Sequence, residues 1–361
     1  MTKIICSPGS FIIGDGEITK LANYSSLKGK KAYILVDPFI AKTYQADILS
    51  SFISQNLPQT FNLFGGECSK NEIDRHLAAL DGADVIIGIG GGKTLDSAKA
   101  VAYYAHVPAV IVPTAASSDA PCSRLSVIYS DGGEFESYLF LTENPAIVIM
   151  DSNLIAHAPV RMLVSGIGDA LATWYEARAC EQSNALTMVG AHSTRAALAL
   201  AKLCRDILFE DGLKAKIAVK QQVSTKALEN IIEANTYLSG IGFESSGLAA
   251  AHAVHNGLTA LDETHKYLHG EKVAFGLLTQ LMLENTDNSE LEQVIHFCKS
   301  VGLPTCLKDL GIDAVSDERL MNVAVLSCAE GDTMACMPFK VSPEDVFAAI
   351  KAADQFSQTI V

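Results

Sequence analysis

Four β-rich runs of strand length, the first three each followed by a helical pattern, fill the stretch from residue 31 to residue 113 and confine what this chain can fold into. Residues 31–37 read as a buried strand followed by a helix over 39–55, and 60–64 as a second strand. Ser69 and Glu72 have the spacing of a capping box, which opens a helix through about residue 80. A third strand falls at 83–89, a helix at 93–106 and a fourth strand at 108–113. Continuous apolar runs such as 83–89 and 108–113, alternating with helices, imply a parallel sheet covered on both faces. Two further β-rich runs, 125–129 and 137–141, flank the turn sequence SDGG and read as a hairpin.

From Asp151 onward the texture changes: strand signals vanish, and Ala/Leu-rich segments with helical spacing, such as 168–180 and 225–237, run to the end. The expected architecture is therefore a nucleotide-binding α/β domain over 1–155 with a parallel sheet, then an all-helical domain over 156–361. A length of 361 residues suits two cores of this size. Ligands of open α/β sheets bind beyond the carboxyl ends of the strands, so the expected site is the cleft between the two parts.

Composition narrows the function. Apolar residues make up 49% and charged residues 19%, enough to bury a large core and too little charge for disorder. Twenty-seven basic against 41 acidic side chains give a net charge of −14, which disfavours nucleic acid or an anionic membrane as partner. The nine cysteines are odd in number, scattered and without a CxxC pair, as expected of reduced thiols in a cytoplasmic protein. The opening MTKIICSPGSFIIG is broken by Ser-Pro-Gly and lacks the run of a signal peptide.

The segment GIGGGKT (88–94) leaves the third strand and opens a helix. Gly90, Gly91 and Gly92 let the backbone approach a diphosphate, while Lys93, Thr94 and the helix N-terminus supply positive charge and N–H donors. It is not the GxGxxG fingerprint of a first βα turn, nor a Walker A loop, whose lysine lies further from the first glycine. Asp37, at the end of the first strand, is either a turn residue or the acid that binds an adenosine ribose. In the second role it repels a 2′-phosphate and favours NAD over NADP. The loop PTAASSD (113–119) is either solvated or faces the nicotinamide and phosphates, with Asp119 reaching a substrate hydroxyl.

In the helical half, Asp169 sits in an apolar helix start, His252 and His255 lie one turn apart in an Ala-rich stretch, and His269 stands at a loop-to-helix junction. Polar groups on apolar helix faces are costly unless paired or metal-bound, so these are either hydrogen-bonded core residues or ligands. Asp169, His252 and His269 would make three ligands and leave a fourth tetrahedral position for a substrate oxygen, the arrangement of a catalytic zinc. His255 is a candidate proton relay or a structural neighbour.

Five motifs, in order along essentially the whole chain, resemble the glycerol dehydrogenases of the iron-type (group III) alcohol dehydrogenase superfamily: GIGGGKTLDSAKA (88–100), PTAASSDAPCSRLSVIYS (113–130), GIGDALATWYEA (166–177), GFESSGLAAAHAVHNGLTAL (242–261) and HGEKVAFG (269–276). The resemblance implies a dehydroquinate synthase-like α/β domain with a helical C-terminal domain. It implies NAD contacts at Asp37, Gly92, Lys93, Thr114, Ser117, Ser123, Leu125 and Tyr129, polyol binding at Asp119, and zinc ligands at Asp169, His252 and His269, which also hold the substrate. The implied reaction is reversible oxidation of glycerol to dihydroxyacetone, with activity on vicinal diols such as 1,2-propanediol. The implied assembly is a homo-octamer. Iron-dependent relatives place a histidine four residues after the aspartate, where this chain has Thr173, so the resemblance is to the zinc branch. Dehydroquinate synthase, with glutamate at the Asp169 position, and glycerol-1-phosphate dehydrogenase, which shares the Asp/His/His set, are the alternatives of the same fold.

Overall fold

The computed structural model describes all residues except 25, 26, 28, 29 and 361. Six parallel strands form one sheet: β1 (Phe11–Gly14), β2 (Ala32–Val36), β3 (Gln59–Leu63), β4 (Val85–Gly90), β5 (Ala109–Pro113) and, after the antiparallel hairpin of β6 (Leu125–Tyr129) and β7 (Phe135–Phe140), β8 (Ile147–Asp151). Their spatial order is β1-β8-β5-β4-β2-β3. The connections run through α1 (Pro38–Ser54), α2 (Lys70–Ala78) and α3 (Gly92–Ala105).

All four expected strands are present, and two more, β1 and β8, complete the edge beyond β5. Periodicity gave little warning of β1, which is only four half-buried residues long and is held by pairing with β8. The capping box at Ser69 is only half formed. Ser69 Oγ accepts from the Glu72 N–H at 3.2 Å, but the Glu72 carboxylate turns away to the N–H of Gly65 at 2.6 Å and to Arg75.

Period-two alternation divides the sheet between two cores. Ile34, Val36, Ile87, Ile89 and Val112 pack with Ile48 and Phe52 of α1 on one face. Tyr33, Leu35, Ile86, Ile111, Val148 and Met150 face the other way, into a core continuous with the helical half.

That half contains α4 (Ser152–Ala156), α5 (Val160–Ser183), α6 (Arg195–Lys220), α7 (Lys226–Glu233), α8 (Ser239–Ser246), α9 (Ala250–Leu258), α10 (His269–Leu283), α11 (Asn288–Val301), α12 (Asp317–Ser327) and α13 (Pro343–Thr359). The helix expected over 225–237 is α7 continued into a π-helical turn, Ala234–Leu238, which runs directly into α8. No helix among the described residues is long and apolar enough to cross a membrane.

Two features set the position of a site. First, the chain leaves β2 toward one edge of the sheet and leaves β4 toward the other, so these neighbouring strands mark a topological switch point. Their ends are tied together: the Asp37 N–H donates to Ile89 O at 2.9 Å and the Thr114 N–H to Gly90 O at 3.1 Å. Second, α10 packs backbone to backbone against both α5 and α9. A Cβ on Gly270 would lie 1.8 Å from Ser165 O, and one on Gly276 would lie 2.2 Å from Ala251 O. Only glycine permits that approach. Gly276→Ala is therefore expected to force α9 and α10 apart at a cost of about 1–3 kcal/mol, read as a fall of several degrees in the melting temperature of the metal-free protein. An unchanged midpoint would contradict this packing.

Candidate active site

The carboxyl ends of β2, β4 and β5 bring together Asp37, the glycine turn and Thr114. Gly91 is the N-cap of α3, which has no side-chain cap, so the first amides of the helix, on Gly92, Lys93 and Thr94, stay open to a ligand. A Cβ on Gly91 or Gly92 would meet nothing within 4 Å. Packing therefore does not require these two glycines, and the space they leave fits a diphosphate held by backbone N–H groups. Lys93 stands at this end with its Nζ 2.6 and 2.5 Å from the two carboxylate oxygens of Glu67 and 4.8 Å from the Tyr129 ring centre. Tyr129 has its hydroxyl pushed up to about 12 by burial, reinforced by Asp96.

Asp37 caps α1 with one oxygen and leaves the other over. Its Oδ1 accepts from the Phe39 N–H at 2.8 Å and from the Ile40 N–H at 3.4 Å, capping α1. Its Oδ2 has no hydrogen bond among the described residues and remains for a ligand. Thr114 and Ser117 are half-buried on the loop after β5, while Ser123 is buried and its Oγ donates to Ala120 O at 2.9 Å. Buried Lys99, paired with Asp96 at 2.9 Å, donates to Ala120 O and to Leu125 O, so α3 holds the segment that carries Ser123 and Leu125.

In the helical half, α5, α9 and α10 each contribute one residue to a group that could hold a metal ion. Asp169 Oδ1 lies 3.3 Å from His252 Nε2 and 3.1 Å from His269 Nε2, and the ligand atoms all lie within 4.8 Å of one another. A tetrahedral ion with bonds of about 2.0–2.2 Å spaces its ligands by roughly 3.3 Å. Asp169 Oδ1 is fully buried yet satisfied by no hydrogen bond. A buried acceptor left over in this way, facing two imidazole nitrogens at ligand spacing, fits a cation. Burial opposes ionisation of Asp169, but His269 and His252 outweigh it and hold the carboxyl far below its ordinary range. Burial likewise works against a charged His252, yet Glu176 and Asp169 raise it well above the usual imidazole range. The pocket demands positive charge, from protons or from a metal.

Asp119 closes the site from the nucleotide side. Its N–H donates to Asp169 Oδ2 at 3.4 Å, and its Oδ2 accepts from Ser239 Oγ at 2.8 Å. Burial, then the nearby Asp169 charge, pushes Asp119 well above the ordinary carboxylate range. Ser239 is in turn 2.7 Å from the hydroxyl of Thr173. On the preceding π turn, Asn235 Nδ2 donates to Ala116 O at 3.0 Å. One irregular turn of helix thus braces the loop from β5 and its acid together.

Sequence reasoning singled out Asp169, His252, His269 and Asp119, which the structure brings together, but not the carboxylate behind His252. Glu176 is fully buried. Its Oε1 accepts the N–H groups of Ala249 (2.8 Å) and His252 (3.0 Å), capping a helix that has no side-chain cap of its own, and its Oε2 lies 2.7 Å from His252 Nδ1. The available signal was spacing, because Asp169 and Glu176 are seven residues apart and so share one face of α5. Asn256, Asp332, Asn235 and Ser239 give no such signal, whereas His255 is marked in the sequence by its place one turn from His252. His255 Nε2 sits 3.0 Å from His269 Nδ1. Burial, His269 and Lys272 hold the His255 imidazole well below its ordinary range, in the neutral form.

Residues 8–152 match the model of the family described as iron-containing alcohol dehydrogenase. The chain is 52% identical to a glycerol dehydrogenase of Escherichia coli O6:H1, over 99% of this chain and 98% of that protein. The solved structure of glycerol dehydrogenase from Schizosaccharomyces pombe superposes with a TM-score of 0.96 at 40% identity, covering 99% of this chain and 92% of the other. That of a probable glycerol dehydrogenase from Sinorhizobium meliloti gives 0.92 at 46% identity, covering 99% and 100%.

His252→Ala removes a ligand without touching the strand ends. Zinc affinity is expected to fall by more than the about 10–100-fold that loss of an outer partner costs, with dinucleotide affinity within about twofold of the parent. Elemental analysis and nucleotide titration check this, and normal zinc content in the variant would refute the ligand set.

Proposed function

Because the chain belongs to the glycerol dehydrogenase family, within the iron-containing alcohol dehydrogenases, we propose that it oxidises glycerol reversibly at C2 to dihydroxyacetone, with NAD accepting the hydride and zinc in the Asp169–His252–His269 site. Related vicinal diols such as 1,2-propanediol fall within the same reading. The observation that carries it is the juxtaposition of the ligand set with Asp119 where the loop from β5 meets α5.

Zinc over iron is supported by Thr173. Its hydroxyl is engaged by Ser239, and a Cβ on Gly242 would lie 2.4 Å from the Thr173 methyl, so this position is packed and supplies no fourth ligand. A zinc ion bound there supplies a Lewis acid that polarises the hydroxyl under oxidation. The chain's own residues do the rest. Asp119, fixed by Ser239, presents a carboxyl to the neighbouring hydroxyl, which is why a diol suits the site better than a simple alcohol. The amides of Gly92, Lys93 and Thr94 bind the diphosphate and orient the nicotinamide toward Asp119, with Thr114, Ser117, Ser123, Leu125 and Tyr129 lining its path. Asp37 Oδ2 accepts a ribose hydroxyl and repels a 2′-phosphate. Burial of Asp169 and Asp119 keeps bulk water from the reacting carbon. The carbon loses a hydride to the nicotinamide, and the hydroxyl proton leaves to solvent. The reading extends to an octamer of the chain, checked by sedimentation velocity.

Two measurements bear on this reading. Glycerol-dependent NADH formation should be abolished by a strong chelator and restored by zinc. A rate insensitive to both would end the metal mechanism. Asp37→Gly, which costs the α1 cap only a few tenths of a kcal/mol, should lower the preference for NAD over NADP by about tenfold, corresponding to the ~1.4 kcal/mol that a weak repulsion supplies. An unchanged ratio of kcat/KM values would dismiss Asp37 as the ribose ligand.

A further inference from the structure

Behind each imidazole ligand runs a hydrogen-bonded chain that ends on a carboxylate. His252 Nδ1 lies 2.7 Å from Glu176 Oε2, which only accepts, so Nδ1 carries the proton and Nε2 keeps its lone pair for the cation. The second chain is longer. His269 Nδ1 is 3.0 Å from His255 Nε2, His255 Nδ1 is 3.0 Å from Asn256 Oδ1, and Asn256 Nδ2 donates to Asp332 Oδ2 at 3.0 Å. Asp332 also accepts the N–H of Thr333 at 2.6 Å, so it is anchored at the far end. Every bond in both chains has its donor toward the metal and its acceptor outward, and a carboxylate end is what sets that polarity.

We infer that Glu176 and Asp332 are positioning residues that lock His252 and His269 into the Nδ1–H tautomer, with His255 and Asn256 transmitting the constraint from Asp332. The inference rests on the reading of Asp169, His252 and His269 as a zinc site. It gives His255 a part the sequence left open: its Nε2 faces the outer nitrogen of a ligand, so it acts through His269.

The amide isostere of Glu176 isolates this role. In Glu176→Gln the side-chain oxygen must stay on the two backbone N–H groups that Oε1 now accepts, because turning the NH2 onto them would set donor against donor. The NH2 then faces His252 Nδ1, which can only accept. The proton moves to Nε2, and the ligand lone pair is lost while the volume and the α9 cap remain. Asp332→Asn acts at a distance. With its oxygen kept on the Thr333 N–H, the new NH2 faces Asn256 and flips that amide, whose own NH2 then donates to His255 Nδ1, and His255 Nε2–H drives the proton of His269 onto its own Nε2.

The test is zinc affinity, measured by chelator competition on the full-length chain stripped of metal and titrated with zinc alone, beside the melting temperature of the metal-free forms. Glu176→Gln should weaken zinc binding about 10–100-fold, and Asp332→Asn by several-fold, with metal-free midpoints close to the parent. A Glu176→Gln protein that binds zinc as the parent does, or one whose only change is a lower metal-free midpoint, overturns the inference. If Glu176→Gln does not fold, Asp332→Asn decides, and parental affinity there rejects the tautomer chain. A parent that binds no zinc is a different result, since it removes the metal reading itself.

Discussion

The contact on which the rest depends is the backbone-to-backbone seat of α10 against α5 and α9. Gly270 lies against the backbone at Ser165 and Gly276 against that at Ala251, so at these two points no side chain holds the helices apart. Helices separated by ordinary side chains keep their axes about 8–10 Å apart, and ligands on three of them then converge less easily. Here Asp169, His252 and His269 meet within 4.8 Å. The entry to α10 is fixed by the Glu271 carboxylate, which accepts the Leu268 N–H at 2.7 Å and is gripped by Arg161 at 2.7 Å. His269 therefore stands on a defined first turn instead of a loose loop.

That packing places three buried carboxylates, Asp119, Asp169 and Glu176, around one point. Burying a charge without a partner is expensive; here His252 and His269 offer positive charge, while the Ser239 hydroxyl and backbone N–H groups supply hydrogen bonds. The same imbalance accounts for the opposed behaviour of Asp119 and Asp169: the first is pushed up by burial and by its neighbour, the second held down by two histidines. A cation among Asp169, His252 and His269 would answer the charge of Asp169 and lighten its load on Asp119.

The two halves of the molecule are joined at the loop after β5. Asn235 and Ser239, brought together by the π-helical turn, grip that loop at Ala116 and Asp119. Insertions of this kind concentrate at functional sites because they re-aim side chains that a regular helix would misdirect. The strand ends that carry Asp37 and the glycine turn are tied to the same loop through the bond from Thr114 to Gly90. A rigid path thus runs from the nucleotide end to the metal end without a flexible linker.

Much of this was legible in the amino-acid order. The four strand-like runs, the open glycine turn after β4 and the shift to helices after Asp151 each follow from a local pattern of burial periodicity or backbone freedom, while the cost of polar groups on apolar faces marks Asp169, His252 and His269 and the family resemblance joins them into one set. The edge strand β1 was not legible, because a four-residue half-buried strand owes its existence to the partner beside it, whereas β8, between β1 and β5, is a buried apolar run that carries a strand signal of its own. Nor were the π turn, the half-formed capping box at Ser69, or the carboxylate ends of the ligand chains. Glu176 reads from the sequence as one more acid on a helix, and Asp332 as a loop residue. Their meaning lies in which nitrogen they face, and hydrogen-bond direction across 76 positions of sequence, as between Glu176 and His252 or Asn256 and Asp332, is set only when the helices have packed.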